Sequence, residues 1–215
     1  MKKLVIIIAA ITSLVTNSYA QNNETNLREK LTFGLKVGIN YSNVYDEKGD
    51  DFVANPKLGM AAGAYLAIPI GKYFGIQPEI LISQKGFQAT GKILGENYNY
   101  TRTSTYMDIP LLFAFKPSEF ISLVAGPQYS YLLKQSDVFK NASTSIIQET
   151  EFKNDNIRKN VLCFTGGIDI NIRHIVLGTR AGWDMQNNNG DGTATTPRYK
   201  NVWYQGTVAY RFYRK

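Results

Sequence analysis

The sequence predicts an all-β fold: an eight-stranded antiparallel transmembrane β-barrel with short periplasmic turns and long extracellular loops. Three observations support it: an N-terminal export signal, segments in which apolar and polar residues alternate, and connections that are long and short in turn. No later stretch is long and apolar enough for a membrane-spanning helix. We predict a signal peptide (1–20), a periplasmic tail (21–31) and an outer-membrane β-barrel domain (32–215).

The first twenty residues have the three parts of a secretory signal peptide. Lys2 and Lys3 provide the positive charge, Leu4–Val15 is the apolar core, and Ser18–Ala20 is a small-x-small cleavage signal. Cleavage would lower the formal net charge from +7 to +5, because the segment carries two lysines and no acidic residue. The remaining basic residues are scattered, which is not the pattern of a nucleic-acid surface.

Eight later segments alternate with a period of two, and a tilted membrane strand needs roughly 9–11 residues. In the first segment, Phe33, Leu35 and Val37 share one face. Gly34 and Lys36 take the other face, which would line the lumen. The predicted strands are Thr32–Tyr45, Lys57–Pro69, Phe74–Phe87, Thr105–Lys116, Glu119–Leu133, Arg158–Ile172, Ile175–Met185 and Tyr199–Phe212.

The connections distinguish a membrane barrel from a soluble β-sandwich, whose strands would also alternate. Short connections on one side and long ones on the other fit an outer-membrane barrel with both termini in the periplasm. The short turns centre on Ile70–Tyr73, Pro117–Ser118 and Arg173–His174. The predicted long loops are Asp46–Pro56, Gln88–Ser104, Lys134–Ile157 and Gln186–Arg198.

Aromatic residues are expected in two girdles at the membrane interfaces. An open sheet edge in lipid would cost several kcal/mol per unpaired backbone group, so we expect the last strand to pair with the first. The girdle near the short turns would contain Phe33, Tyr73, Phe74, Phe113, Phe115, Phe120, Tyr210 and Phe212. The girdle near the long loops would contain Tyr41, Tyr45, Tyr106, Tyr129, Tyr131, Trp183, Trp203 and Tyr204.

Three prolines, Pro78, Pro110 and Pro127, lie inside predicted strands. Each removes a hydrogen-bond donor from the ladder, which argues against a regular central strand. We therefore expect a β-bulge at each of these points.

Four segments carry a family resemblance: Phe33–Asn40, Gln77–Glu79, Asp108–Leu112 and Ala125–Tyr129. In order and spacing they resemble the PorT-like outer-membrane β-barrel family of Bacteroidetes, a porin-family group, over nearly the whole mature chain. The namesake takes part in type nine protein secretion, so the resemblance implies type nine secretion components as candidate partners. The other expected partners are outer-membrane lipids and the barrel-insertion machinery, with no nucleic acid.

The C-terminus departs from the pattern of many outer-membrane barrels, which end on an aromatic residue. Here Phe212 and Tyr213 are followed by Arg214 and Lys215. We therefore expect the insertion machinery to read a shifted signal.

The lumen of an eight-stranded barrel is just wide enough to be filled by side chains. Alternation places charged residues of both signs inward in equal number, which predicts a polar network of ion pairs. The alternative is a proton or small-ion path through rearranging pairs. The predicted inward residues are Lys36, Glu79, Lys85, Asp108, Asp169, Arg180, Asp184 and Arg211.

A catalytic site is not predicted. His174, the one histidine, lies in a short turn without a nearby serine. Asp108 and Asp169 could form a carboxylate pair, but each could equally pair with Arg180 or Arg211.

No cofactor or metal site is predicted either. Cys163 lies inside a predicted strand, where a buried small side chain is expected, and one cysteine excludes an internal disulfide. The segment Asn187–Gly192 could offer oxygen ligands to calcium, but it lacks the EF-hand pattern and has the composition of a turn.

These observations predict a non-enzymatic outer-membrane protein with a structural, interaction or secretion-assembly role. The alternatives are a narrow pore for small solutes or ions, and an outer-membrane lipid-modifying enzyme. The best candidate for a recognition surface is Lys134–Ile157, a long polar segment with Phe139 and Phe152.

Overall fold

The computed structural model describes residues 26–45, 54–93, 96–141, 145–150, 157–188 and 199–213. The predicted signal peptide therefore lies outside the described residues. Within them, no helix has the length and apolar character needed to cross a membrane. A short 3₁₀ helix, Leu27–Glu29, precedes the strands. The strands are β1 Thr32–Tyr45, β2 Asn55–Pro69, β3 Phe74–Ile93, β4 Glu96–Phe115, β5 Ile121–Asn141, β6 Ser145–Thr150, β7 Asn160–Ile172, β8 Ile175–Asp184 and β9 Lys200–Phe212.

Eight of these strands form a closed antiparallel ring in the order β1, β2, β3, β4, β5, β7, β8, β9. The ring closes because β9 pairs with β1, from Phe33 opposite Phe212 to Tyr45 opposite Lys200. The predicted fold class is confirmed, and so is the predicted pairing of the last strand with the first. Short β6 lies outside the ring and pairs with the far end of β5.

The ring is apolar outside and polar inside. In β1, Leu35 is 57% exposed, whereas its neighbour Lys36 is 4% exposed. The same alternation runs through β7, β8 and β9. This is the reverse of a soluble protein, and it fits a barrel whose outer solvent is lipid.

Two aromatic girdles lie on the outer face, but the second is smaller than predicted. All eight residues predicted near the short turns are exposed, as are six of the eight predicted near the long loops. The placement of Tyr106 and Trp203 in the girdle was wrong, because both side chains point inward and are buried. Each lies two residues from an inward-facing residue on its own strand, Asp108 for Tyr106 and Gln205 for Trp203. Side chains two residues apart on a strand share a face, and this decides their direction despite their aromatic character.

Two of the predicted long loops are in fact largely strand. Gln88–Ser104 forms the ends of β3 and β4, which remain paired up to Ile93 opposite Glu96. Most of Lys134–Ile157 belongs to β5 and β6. These stretches lack an apolar face, so the period-two signal disappears there. Their threonine and tyrosine residues still favour strands, and strands outside lipid need only a pairing partner.

The prediction of a β-bulge at each of the three prolines was also wrong. Pro78 lies opposite Leu111, and Pro110 lies opposite Gln128, in the same registers as the pairs on either side. The register shifts occur elsewhere, between Pro56 and Ala61 on β2 and between Thr105 and Tyr106 on β4. Pairing is interrupted beside the prolines without being shifted.

Arg173 has a backbone φ of 52° in the two-residue turn between β7 and β8. A non-glycine residue in this left-handed region costs roughly 1–2 kcal/mol. We expect Arg173→Gly to raise the free energy of unfolding by about 1 kcal/mol. The measurement is urea unfolding of the refolded barrel in lipid vesicles.

Arg173→Ala is the control, because it removes the same exposed side chain without relieving the backbone. A stability gain in the alanine variant equal to that in the glycine variant would contradict the strain explanation.

Candidate functional site

The lumen holds all eight of the charged residues that the sequence placed inward. Each of them is 8% exposed or less, although charged side chains are almost never fully buried unless paired. Four of the eight are basic and four are acidic. Six of the eight form two separate ion-pair networks along the barrel axis. The other two, Arg211 and Asp184, have no ion-pair partner among the described residues.

The network nearer the short turns centres on Arg180. Its guanidinium donates two hydrogen bonds to Asp169, at 2.8 and 2.9 Å, and lies 3.6 Å from Glu79. Lys36 Nζ lies 2.7 Å from the other carboxylate oxygen of Glu79. Gln77 donates to Glu79 at 2.9 Å and to Asp169 at 3.4 Å, so one amide connects the two carboxylates.

Gly178 makes room for this network. It lies opposite Asp169 across the β7–β8 pair. A Cβ atom at this position would lie 2.7 Å from the Asp169 carboxylate and 2.6 Å from the Thr207 hydroxyl. A side chain here would therefore displace the carboxylate that Arg180 holds.

The network nearer the long loops centres on Lys85, which is 1% exposed. Its Nζ lies 3.1 Å from Asp108, and Ser83 and Ser130 each donate to that carboxylate at 2.5 Å. The ammonium group also lies 3.8 Å from the ring centroid of Trp203 and 4.9 Å from that of Tyr106. These distances are those of cation–π contacts, which are strongest for a desolvated cation.

Asp184 is satisfied by neutral donors. It accepts hydrogen bonds from the backbone and side-chain nitrogens of Asn201 and from the Cys163 thiol at 3.2 Å. Cys163 is completely buried and free, as the sequence led us to expect. The Asn201 amide and this thiol are contacts that sequence spacing alone did not reveal.

The structure does not bring Asp108 and Asp169 together as a carboxylate pair. Asp108 and Asp169 belong to different networks, each bonded to its own cation. His174 Nδ1 donates to the backbone carbonyl of Arg211 at 2.9 Å, and its ring stacks on Tyr210 and Tyr213. No hydrogen bond described for His174 reaches a serine or a carboxylate.

A metal site is not apparent in the described parts of the chain, where no three His, Cys, Asp or Glu residues are arranged to hold an ion. Most of the candidate calcium segment, residues 189–192, lies outside the described residues, as does Phe152.

A third polar cluster lies where β3, β4 and β5 continue past the ring. Arg102 forms two hydrogen bonds with Asp137, at 2.8 and 2.7 Å, and donates to the Tyr199 hydroxyl at 3.0 Å. Phe87 and Tyr100 pack around them. Sequence reasoning missed this cluster because it treated the region as loop. The usable signal was the opposite charge of two residues that face each other across neighbouring strands.

A closed antiparallel ring with an apolar outer face and a charged lumen defines a transmembrane β-barrel. The chain belongs to the outer membrane protein beta-barrel domain family, whose model matches residues 19–185. Membership of this family places the protein in the outer membrane.

No curated protein matches the chain. Similar solved structures include Ail of Yersinia pestis in complex with the heparin analogue sucrose octasulfate, at 12% identity and a TM-score of 0.47 over 85% of this chain and 99% of that one. Neisserial surface protein A matches at 8% identity and a TM-score of 0.48, over 84% and 97%. OprG from Pseudomonas aeruginosa matches at 12% identity and a TM-score of 0.43, over 86% and 98%.

Arg180 is the only ion-pair partner of Asp169 among the described residues, so its removal should be costly. We expect Arg180→Met to lower the free energy of unfolding by roughly 3–5 kcal/mol, because Asp169 would be left buried without its cation. Urea unfolding in vesicles, followed by tryptophan fluorescence, measures the loss.

The matched control is Thr179→Val on the outer face of the same strand, where an exposed substitution should stay within about 0.5 kcal/mol. Equal effects of the two substitutions would show that the ion pairs do not stabilise the barrel.

Proposed function

We propose that this outer-membrane barrel is a non-enzymatic interaction protein and that it does not act as a pore. The proposal rests on one contrast within the fold. The lumen side chains are bonded to one another. In contrast, β3, β4 and β5 continue past the ring as a sheet whose unpaired edges, among the described residues, are β3 and β6.

The paired lumen argues against the pore alternative. An ion that crossed the barrel would have to pass both the Lys85–Asp108 pair and the Arg180–Asp169 pair. Removing one partner of a buried pair costs roughly 3–5 kcal/mol, so a path through rearranging pairs would be slow. The burial of the hydroxyl and thiol groups that contact carboxylates argues against the enzyme alternative. These groups are Ser83 and Ser130 at Asp108, and Cys163 at Asp184, and all of them are enclosed in the lumen.

The extension of β3, β4, β5 and β6 beyond the ring supports an interaction role. Past Gln88, β3 pairs only with β4 among the described residues, and β6 pairs only with β5. An unpaired sheet edge can accept an extended segment of another protein by strand addition. The Arg102–Asp137 hydrogen bonds join β4 to β5 and would hold the extension in a fixed shape.

A role in secretion-system assembly is the more specific form of the proposal. It rests on the PorT-like resemblance, as do the candidate type nine secretion partners. In this form the signal peptide (1–20) is cleaved on export, the insertion machinery places the barrel in the membrane, and the short turns face the periplasm.

Planar-bilayer recording distinguishes the proposal from the pore alternative. We expect the purified barrel to insert without discrete conductance steps, because the buried ion pairs obstruct the lumen. A porin reconstituted in parallel is the control for insertion and detection. Reproducible single-channel steps from this barrel would favour the pore.

Site-specific crosslinking in intact cells tests the interaction role itself. A photo-crosslinking residue replaces Asn99, which is exposed on the extended part of β4, in a copy expressed at native level. We expect crosslinks to a discrete set of proteins, and type nine secretion components among them would support the assembly role.

The control places the same probe at Ile168 on the lipid-facing side of β7, where lipid products are expected. If Ile168 gave lipid products and Asn99 gave no protein product, the interaction role would be abandoned.

A further inference from the structure

A cavity of about 30 Å³ lies at the short-turn end of the lumen. Its walls include the 3₁₀ helix before β1, the turn after β4 and the inner faces of β2, β7 and β9. The tail thus completes the cavity. The polar residues that matter to the argument are Arg28, Tyr65, Lys116, Glu119, Asn171 and Arg211.

Three cations meet at this cavity without a carboxylate in ion-pair contact among the described residues. Arg28 and Lys116 donate to backbone carbonyls of each other's segments, with Lys116 Nζ 3.2 Å from the Arg28 carbonyl oxygen. Arg211 donates to the Asn171 side chain at 2.9 Å and to the Arg173 carbonyl at 2.7 Å. Elsewhere in the lumen, Lys36, Lys85 and Arg180 each have an acidic partner.

Two buried donors on the cavity wall have no hydrogen-bond partner within the part of the chain that the structure describes. They are the Tyr65 hydroxyl and Arg211 Nε, on residues that are 6% and 8% exposed. A buried polar group without a partner costs about 1–3 kcal/mol, so such groups usually have a reason to be there. Burial, together with the nearby charges of Arg211 and Arg28, also lowers the pKa of Lys116.

We propose that this cavity binds the phosphate group of a small ligand or of a lipid at the periplasmic mouth of the barrel. The donors supplied by Arg28, Tyr65, Lys116 and Arg211 come from four different segments, which suits an anion with oxygens on several sides.

The charge balance favours phosphate over a carboxylate. Three cations and Glu119 leave an excess of two positive charges, since Asp169 is already neutralised by Arg180. Inorganic phosphate and phosphate monoesters carry about −1.5 to −2 at neutral pH and have at least three acceptor oxygens, whereas the phosphodiester of a lipid carries −1. A water requires about 10–15 Å³ of such space, so the cavity has room for two or three oxygen atoms of an oxyanion, and the rest of the ligand would remain outside.

The test is titration of inorganic phosphate into the purified barrel in a phosphate-free maltoside detergent, followed by ³¹P NMR at constant ionic strength. We expect saturable binding by the native chain. Arg28→Gln and Lys116→Gln should each weaken it by about tenfold or more, because each removes a charge-assisted hydrogen bond. Both residues lie outside the strands, so two independent variants guard against a folding defect in either one.

The matched control is Lys72→Gln, which removes one positive charge from an exposed turn at the same end of the barrel. It should bind phosphate as the native chain does. Absence of saturable binding, or equal weakening in Lys72→Gln, would overturn the proposal.

A competition arm identifies the source of the phosphate. Dihexanoyl phosphatidylglycerol below its micelle concentration would displace inorganic phosphate more effectively than glycerol phosphate does if the site takes a lipid. The reverse order would indicate a soluble phosphate. This arm uses purified protein, so its result is independent of the crosslinking outcome.

Discussion

Every backbone N–H and C=O group inside a bilayer must find its partner within the protein, and the pairing of β9 with β1 meets that requirement. With eight strands, the closed ring has an interior only wide enough for side chains. Each strand must then present apolar residues to lipid and fill the lumen with its other face. The crowded, polar lumen follows from this closure.

The narrow lumen determines how its charges are arranged. A charge that cannot reach water must be bonded, and most of the eight charged residues are bonded to a partner on another strand. Lys36 and Glu79 come from β1 and β3, Arg180 and Asp169 from β8 and β7. The ion pairs therefore join strands side to side, in addition to the backbone ladder.

Alternation predicted the strands and the inward residues because a period of two is imposed by the backbone itself, and the cost of an open sheet edge in lipid predicted the closure. It could not predict which charges would pair, since Asp169 could have met Arg180 or Arg211 and only the register of β7 with β8 decides between them. Trp203 was wrongly assigned to the outer girdle because it is aromatic. Its position in the strand directs the ring into the lumen over Lys85, where the lack of a side chain at Gly182 leaves room for it.

The predictions failed most where lipid no longer constrains the chain. Past the ring, β3 and β4 have polar residues on both faces, and the sequence gives no periodic signal that distinguishes them from a loop. The prolines were misjudged for another reason. Pro78, Pro110 and Pro127 lie near one another on the adjacent strands β3, β4 and β5. The backbone N–H groups that they lack would therefore fall in one region of the ladder, where pairing is interrupted but the register is the same on both sides.

Strand β5 pairs with two different strands along the same edge, within one continuous sheet. It pairs with β7 in the barrel wall from Ile121 to Tyr131 and with β6 in the extension from Gln135 to Lys140. A pull on the extension along the strand axis would therefore load many ladder hydrogen bonds in shear at the same moment, where a flexible loop would stretch before transmitting any force. If a partner binds the extension, as proposed above, the continuous strand would transmit force from that partner directly to the barrel wall and so to the membrane.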